Sequence, residues 1–377
     1  MAKKKIEETD SAPMSKEDLE AKFALENKDA KSKKKPLLFK EKKDFDIAKY
    51  SKMRSNAVEY KPETWIPMST AFQKLTGFPG FPQGHVHMCY GRSDQGKTTM
   101  LLELAVNAQK IGVYPILIIT EKKWSWDRCD EIGFDRNFCA FKDDLTYVEE
   151  VCDYINDVLR DQAEGNLPYD IIFLWDSVGA TPSRAEWEAS EERAKLVRKA
   201  VDDGVDLKEI KMPHGGMMIT ARVLKDYVER KLQHKILATR NASFPFFATL
   251  FMINHGYTSP NPMGPASLVP SGGEGLKFAC SFVFRQGKVS GNPERVKAVK
   301  KGIDTQFGIV TPLILEKNHI NGISQEGKIV CTPHGFVENT KIAIEEYKDA
   351  YKKGWDIQFE KYFEGDSEVD IETGEIL

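Results

Sequence analysis

Apolar positions along the chain fall into alternating strand-like and helix-like runs, and that alternation predicts an α/β fold around a mostly parallel central sheet. Gly84 to Tyr90 alternates like a strand with one buried face. Leu101, Leu104, Ala105, Ala108 and Ile111 then recur at helical spacing, with Gly112 where a helix C-terminus is expected. Val113 to Thr120 is a continuous apolar run, the pattern of a parallel strand covered on both faces. Asp143-Asp144 opens a helix with Leu145, Val148, Val151, Cys152, Ile155 and Leu159 on one side. Tyr169 to Ser177 is a further strand. Helices are predicted over Glu186 to Lys199 and Thr220 to Leu232. Strands are predicted over Phe246 to Ile253, Phe278 to Phe284, Val296 to Lys301 and Val310 to Leu315, and the turn Asn318 to Gly322 finishes the sheet.

Polarity marks the boundaries. Residues 1–60 are rich in lysine and acids and poor in large apolar side chains, which reads as an arm whose islands Leu37-Leu38-Phe39 and Phe45-Asp46-Ile47 could dock on another subunit; a solvated leader is the equal alternative. Residues 61–335 form the core, and 336–377 a helix followed by an acidic tail. Gly256 to Gly273 is so dense in Gly, Pro and Ser that it reads as a long irregular loop, a kind of segment that usually carries function.

Composition narrows the class. Lys and Arg (54) nearly balance Asp and Glu (57), so any nucleic-acid surface must be local. Six scattered cysteines without a C-x-x-C pair argue against a zinc ribbon or a thioredoxin-type redox site. No apolar run approaches a bilayer span, and the start lacks a signal-peptide core, so a cytoplasmic protein is expected.

The sharpest chemistry lies in Gly91-Arg92-Ser93-Asp94-Gln95-Gly96-Lys97-Thr98-Thr99, which fits G-x-x-x-x-G-K-[ST] between a strand and a helix. Such a loop curls so that its N–H groups converge on phosphate, helped by the positive end of the helix dipole. Lys97 is then expected to neutralise phosphate oxygens and Thr98 to ligate Mg²⁺. Glu121 and Asp176 each end an apolar strand, where an open parallel sheet gathers its functional groups. Glu121 is expected to polarise an attacking water, and Asp176 to hold Mg²⁺ through water. For Glu121, a surface acid at a strand exit is the plain alternative.

These pieces in this order resemble the RecA family of DNA strand-exchange recombinases, most nearly its phage UvsX-like branch. The resemblance spans about Ile66 to Gly335 and is carried by Gly91 to Thr99, Ile119-Thr120-Glu121 with Ile132-Gly133-Phe134-Asp135, Trp175-Asp176-Ser177-Val178, Met252-Ile253-Asn254-His255, and Gly272 to Phe278. The Ile-Asn-His-x-Tyr string is the phage-like part, since bacterial members usually have glutamine at the position of His255.

The resemblance implies a RecA-type P-loop NTPase core using ATP and Mg²⁺. It makes Glu121 the catalytic carboxylate and His255 the sensor of the γ-phosphate. Lys277 would reach a neighbouring subunit's nucleotide, so that the site is completed in a filament. The family's adenine-stacking tyrosine falls at Arg128, with Trp124 and Trp126 nearby. DNA contacts fall on Met217, Arg222, Tyr257, Met263, Leu268, Gly272 and Gly273, with Met217, Met263 or Leu268 wedging between bases. Ser183 to Gly216, at the family's first DNA loop, is longer here than in bacterial members.

The implied function is a DNA-dependent ATPase that polymerises on single-stranded DNA and pairs it with homologous duplex. A single-strand-binding protein or loading mediator is a candidate partner. Two rivals are open: a ring-forming replicative helicase on the same core, and an ATP-switch or mediator protein without strand exchange.

Overall fold

The computed structural model describes residues 59–204, 217–259, 267–300 and 303–351. The arm up to residue 58, Met263 and the acidic tail lie outside them. A short antiparallel pair, β1 (Trp65–Pro67) and β2 (Gly80–Pro82), precedes the main sheet. That sheet is built from β3 (Val86–Gly91), β4 (Tyr114–Ile119), β5 (Ala140–Lys142), β6 (Ile171–Asp176), β7 (Ala248–Ser259), β8 (Ser267–Pro270), β9 (Phe282–Gln286), β10 (Glu294–Lys300), β11 (Ile303–Asn318), β12 (Gln325–Thr332) and β13 (Gly335–Glu338). Its order is β13-β12-β11-β9-β3-β7-β6-β4-β5, with β10 paired to β11 and β8 to β7. The neighbours from β9 to β5 run parallel, and the strands beyond β9 are antiparallel. The expected α/β core with a mostly parallel centre is therefore present.

Helices on both faces explain the apolar runs. The helix Lys97–Lys110 covers one face with Met100, Leu101, Leu104 and Ala105, against Cys89, Leu117 and Phe251. The helix Val148–Ala163 and the helical stretch from Met217 to Ala238 cover the other with Val151, Ile155, Val228 and Ile236, against Met88, Ile118 and Phe173. Each large side chain buried this way contributes roughly 1.5–3 kcal/mol. Strand β3 was expected to bury one face, but it is central and buried on both, His87 included. Among the described residues no helix is long and apolar enough to cross a membrane.

Several boundaries differ from the sequence reading. The helix expected from Asp143 starts at Val148, because Glu150 reaches back to the N–H groups of Thr146 and Tyr147 and sets the N-terminus there. The strand expected from Phe278 starts at Phe282. Glu274–Ala279 is instead a short helix that turns Leu276 and Ala279 inward. The sheet also runs on past the Asn318 turn into β12 and β13. Most consequential is the Gly256 to Gly273 segment, which is not structureless: β7 continues through Ser259 and pairs antiparallel with β8, Gly256 opposite Pro270.

Candidate functional site

The G-x-x-x-x-G-K-T loop joins the end of β3 to the helix Lys97–Lys110, at the carboxyl edge of the parallel strands. Its glycines are required by packing. A Cβ on Gly91 would lie 1.9 Å from the Gln286 carbonyl oxygen, and one on Gly96, at φ 91°, would lie 2.5 Å from Cys331 Sγ. Gln286 itself is fully buried and bridges two thiols: Cys89 Sγ donates to its Oε1 (3.3 Å), and its Nε2 donates to Cys331 Sγ (3.2 Å). The loop thus rests on a brace from β9 and β12.

Around this loop the expected phosphate and metal groups converge. Lys97 Nζ donates to the Arg92 carbonyl at 2.8 Å, and burial lowers its pKa. A main-chain carbonyl is a neutral acceptor that an anionic phosphate oxygen can displace. Thr98 Oγ1 donates to Asp176 Oδ2 at 3.2 Å, so the hydroxyl and carboxylate suited to Mg²⁺ stand side by side. Such a hard-oxygen pair fits an ion that keeps water and phosphate as its other ligands.

The two carboxylates are electrostatically distinct. Burial, reinforced by the charge of Glu121, raises the Asp176 pKa to about 6. Glu121 goes the other way: the hydrogen bond from His255, joined by one from Ser177, lowers its pKa to about 2 against the opposing effect of burial. His255 Nε2 and Ser177 Oγ both lie 2.6 Å from Glu121 Oε1. They lie 3.3 Å from each other. A carboxylate held ionised at a strand end, beside a phosphate loop, can orient and polarise a water.

His255 also starts a route away from the loop. Its N–H donates to Asn254 Oδ1 (2.8 Å), while Asn254 Nδ2 donates to the Ser271 carbonyl (2.8 Å) and Ser271 N–H donates to the His255 carbonyl (2.8 Å). Asn254 is fully buried. Gly179 lies against it, since a Cβ there would meet Asn254 Oδ1 at 2.8 Å. Neither Ser177 nor Asn254 was assigned a role from sequence. Their only signal was position, each adjoining an expected site residue at a strand end.

No protein-family model matches the chain. Among curated proteins, it is 26% identical over 309 residues to Protein RecA of Mycolicibacterium vanbaalenii, covering 79% of this chain and 77% of the relative. It is 28% identical over 291 residues to Protein RecA of Wigglesworthia glossinidia brevipalpis, covering 74% and 76%. Protein RecA of Paenarthrobacter aurescens is 26% identical over 309 residues, covering 79% and 78%. These likenesses support a RecA-family recombinase.

The residues expected at DNA are divided. Tyr257, Gly272 and Gly273 line a cleft of about 410 Å³ with Met218, Thr220 and the Val178–Pro182 turn. Arg222 is exposed on the helix Met217–Leu224, which also carries Met217. Leu268 departs from the expectation. Only 4% exposed, it packs in the core beneath the hairpin because strand pairing turns it inward, so it offers no wedge in this conformation. Met263 is outside the described residues.

The expected base-stacking group, Arg128, donates from Nη2 to Thr99 Oγ1 at 2.7 Å on the first turn of the phosphate-loop helix. Trp124 and Trp126 pack with Phe141, their ring centroids 6.0 and 4.8 Å from it. Lys277, expected to act on a neighbouring subunit, pairs with Glu274 (3.4 Å) and Glu316 (3.7 Å) of its own chain.

Proposed function

We propose that this RecA-family chain is a DNA-dependent ATPase that assembles as a helical filament on single-stranded DNA and carries out homologous pairing and strand exchange. One observation carries the reading. The His255 imidazole contacts Glu121 beside the phosphate loop, and the His255 backbone opens the hairpin that leads to the Tyr257, Gly272 and Gly273 cleft. A nucleotide-dependent change at His255 therefore has a short covalent and hydrogen-bonded path to DNA.

In this proposal Gly91 to Thr99 cradle the triphosphate of ATP, and Lys97 exchanges the Arg92 carbonyl for a phosphate oxygen. Thr98 and Asp176 hold Mg²⁺, whose charge offsets that of the phosphates. Glu121 orients and deprotonates the attacking water, His255 answers to the γ-phosphate, and Arg128 flanks the base. Lys277 is supplied to the neighbouring subunit's site. Met217, Arg222, Tyr257, Met263, Gly272 and Gly273 contact DNA, by charge and by stacking. Assignment to the phage-type branch is proposed on the Ile253-Asn254-His255-x-Tyr257 string.

The test is strand exchange with purified protein, a circular single strand and homologous linear duplex. Joint molecules that require ATP and Mg²⁺ are expected. Duplex unwinding without pairing would favour the helicase reading, and ATP binding without turnover or pairing the switch reading.

A further inference from the structure

Glu316 joins groups from three separate elements. Its Oε1 accepts from Arg285 Nε of β9 at 2.7 Å, and its Oε2 accepts from Tyr90 Oη at 2.6 Å, one residue before the phosphate loop. Lys277 Nζ approaches the same Oε2 at 3.7 Å and sits 5.3 Å from the Tyr90 ring centroid. The register between β9 and β11 shifts between Leu315 and Lys317, a bulge that frees Glu316 to turn toward Tyr90. Burial, with Glu316 beside it, pushes the Tyr90 phenol far above its ordinary pKa, so it stays a donor.

The bonds around Lys277 are unequal. Lys317 Nζ donates to the carbonyls of Lys277 (2.5 Å) and Phe278 (3.1 Å), which pins the backbone. The Lys277 ammonium, by contrast, has ion pairs with no hydrogen bond to Glu316, and its other partner, Glu274, is 63% exposed. Firm backbone and loosely paired ammonium are what a side chain needs if it is to be handed from one anion to another.

We propose that Glu316 is a positioning residue that holds Lys277 on its own subunit until an adjacent subunit's nucleotide competes for it. This rests on the filament reading. Arg285 and Tyr90 keep the carboxylate in place, so the exchange moves only Lys277. Tyr90 Oη also lies 3.2 Å from the Leu268 carbonyl, a second and longer acceptor for its one proton, so the same phenol touches the hairpin of the DNA cleft.

The experiment has two arms. In nucleotide-free protein, acylation of Lys277 by a lysine-reactive ester is followed by mass spectrometry. Glu316→Gln, which keeps one acceptor oxygen for Arg285 and turns an amide N–H toward the Tyr90 hydroxyl oxygen, should raise the rate roughly threefold, as expected for loss of a weak, partly buried ion pair, while Glu316→Asp stays close to wild type. In light scattering with ATP and single-stranded DNA, Glu316→Gln should lower the protein concentration needed for assembly by about the same factor, and this shift should vanish in a Lys277→Ala background. Unchanged labelling, or a shift that persists without Lys277, overturns the proposal. Wild-type protein that never assembles overturns the filament reading instead, whatever the labelling shows.

Discussion

His255 Nε2 and Glu121 Oε1, 134 residues apart in sequence, meet at 2.6 Å across the ends of two parallel strands. The contact keeps the Glu121 carboxylate ionised and also occupies it. A γ-phosphate that draws the imidazole away would free one lone pair for water while pulling on the β7–β8 hairpin.

Glu121→Gln should lower hydrolysis by about 10²- to 10⁴-fold, the usual contribution of a positioned general base. ATP binding should survive, leaving a long-lived ATP-bound filament on DNA. Fluorescence of labelled single-stranded DNA reads this directly, and rapid dissociation of the variant would count against the carboxylate's role.

His255→Ala leaves Glu121 with its Ser177 hydrogen bond. Basal hydrolysis should therefore fall by less than about tenfold, or 1.4 kcal/mol, whereas stimulation by DNA should be lost. Equal losses in both would contradict a coupling role for the imidazole.

The pH dependence follows from Asp176. Because its pKa is raised to about 6, it binds a proton below that pH, and Mg²⁺-nucleotide affinity should fall as pH drops through about 6. In nucleotide-free protein the sign reverses: the stability gained by keeping this buried carboxyl neutral is full below the ordinary aspartate value and is lost as pH rises through about 6. The depressed Glu121 contributes in the opposite sense, with stability present above the ordinary glutamate value and lost as pH falls toward about 2. Calorimetric titration across pH 6 checks the affinity, thermal melts carried from neutral pH down toward about 2 check both stability effects, and Asp176→Asn should flatten the Mg²⁺ profile.

Gln286→Ala removes the brace beneath the phosphate loop and should destabilise the fold by about 2–4 kcal/mol, from a buried cavity and the loss of its hydrogen bonds with Cys89 and Cys331. Nucleotide affinity should fall along with stability. Denaturant titrations with and without ATP test this; an unchanged midpoint would show that the loop does not depend on β9.

The fold class and the acids were legible because they sit at the ends of apolar parallel strands, a pattern written in local sequence. Glu121 and Asp176 are strand-end residues of this kind, whereas His255, expected at a strand end, lies within β7. Gln286 was not legible, since its role arises from β9 and β12 converging under a loop almost 200 residues earlier. The hairpin after His255 was hidden by its composition: Gly, Pro and Ser suggested an irregular loop, yet Gly256 to Ser259 pair with Ser267 to Pro270 as two strands. Leu268 misled for the same reason, looking like an apolar residue in a mobile loop when strand pairing buries it. The Glu316 and Lys277 pairing also depends on tertiary approach, through a bulge that periodicity does not announce.

The most direct measurement is ATP hydrolysis by purified protein with and without single-stranded DNA, with light scattering followed in the same samples. The account predicts that DNA stimulates hydrolysis and that stimulation coincides with filament assembly. Hydrolysis that ignores DNA, or stimulation with no assembly, would contradict it.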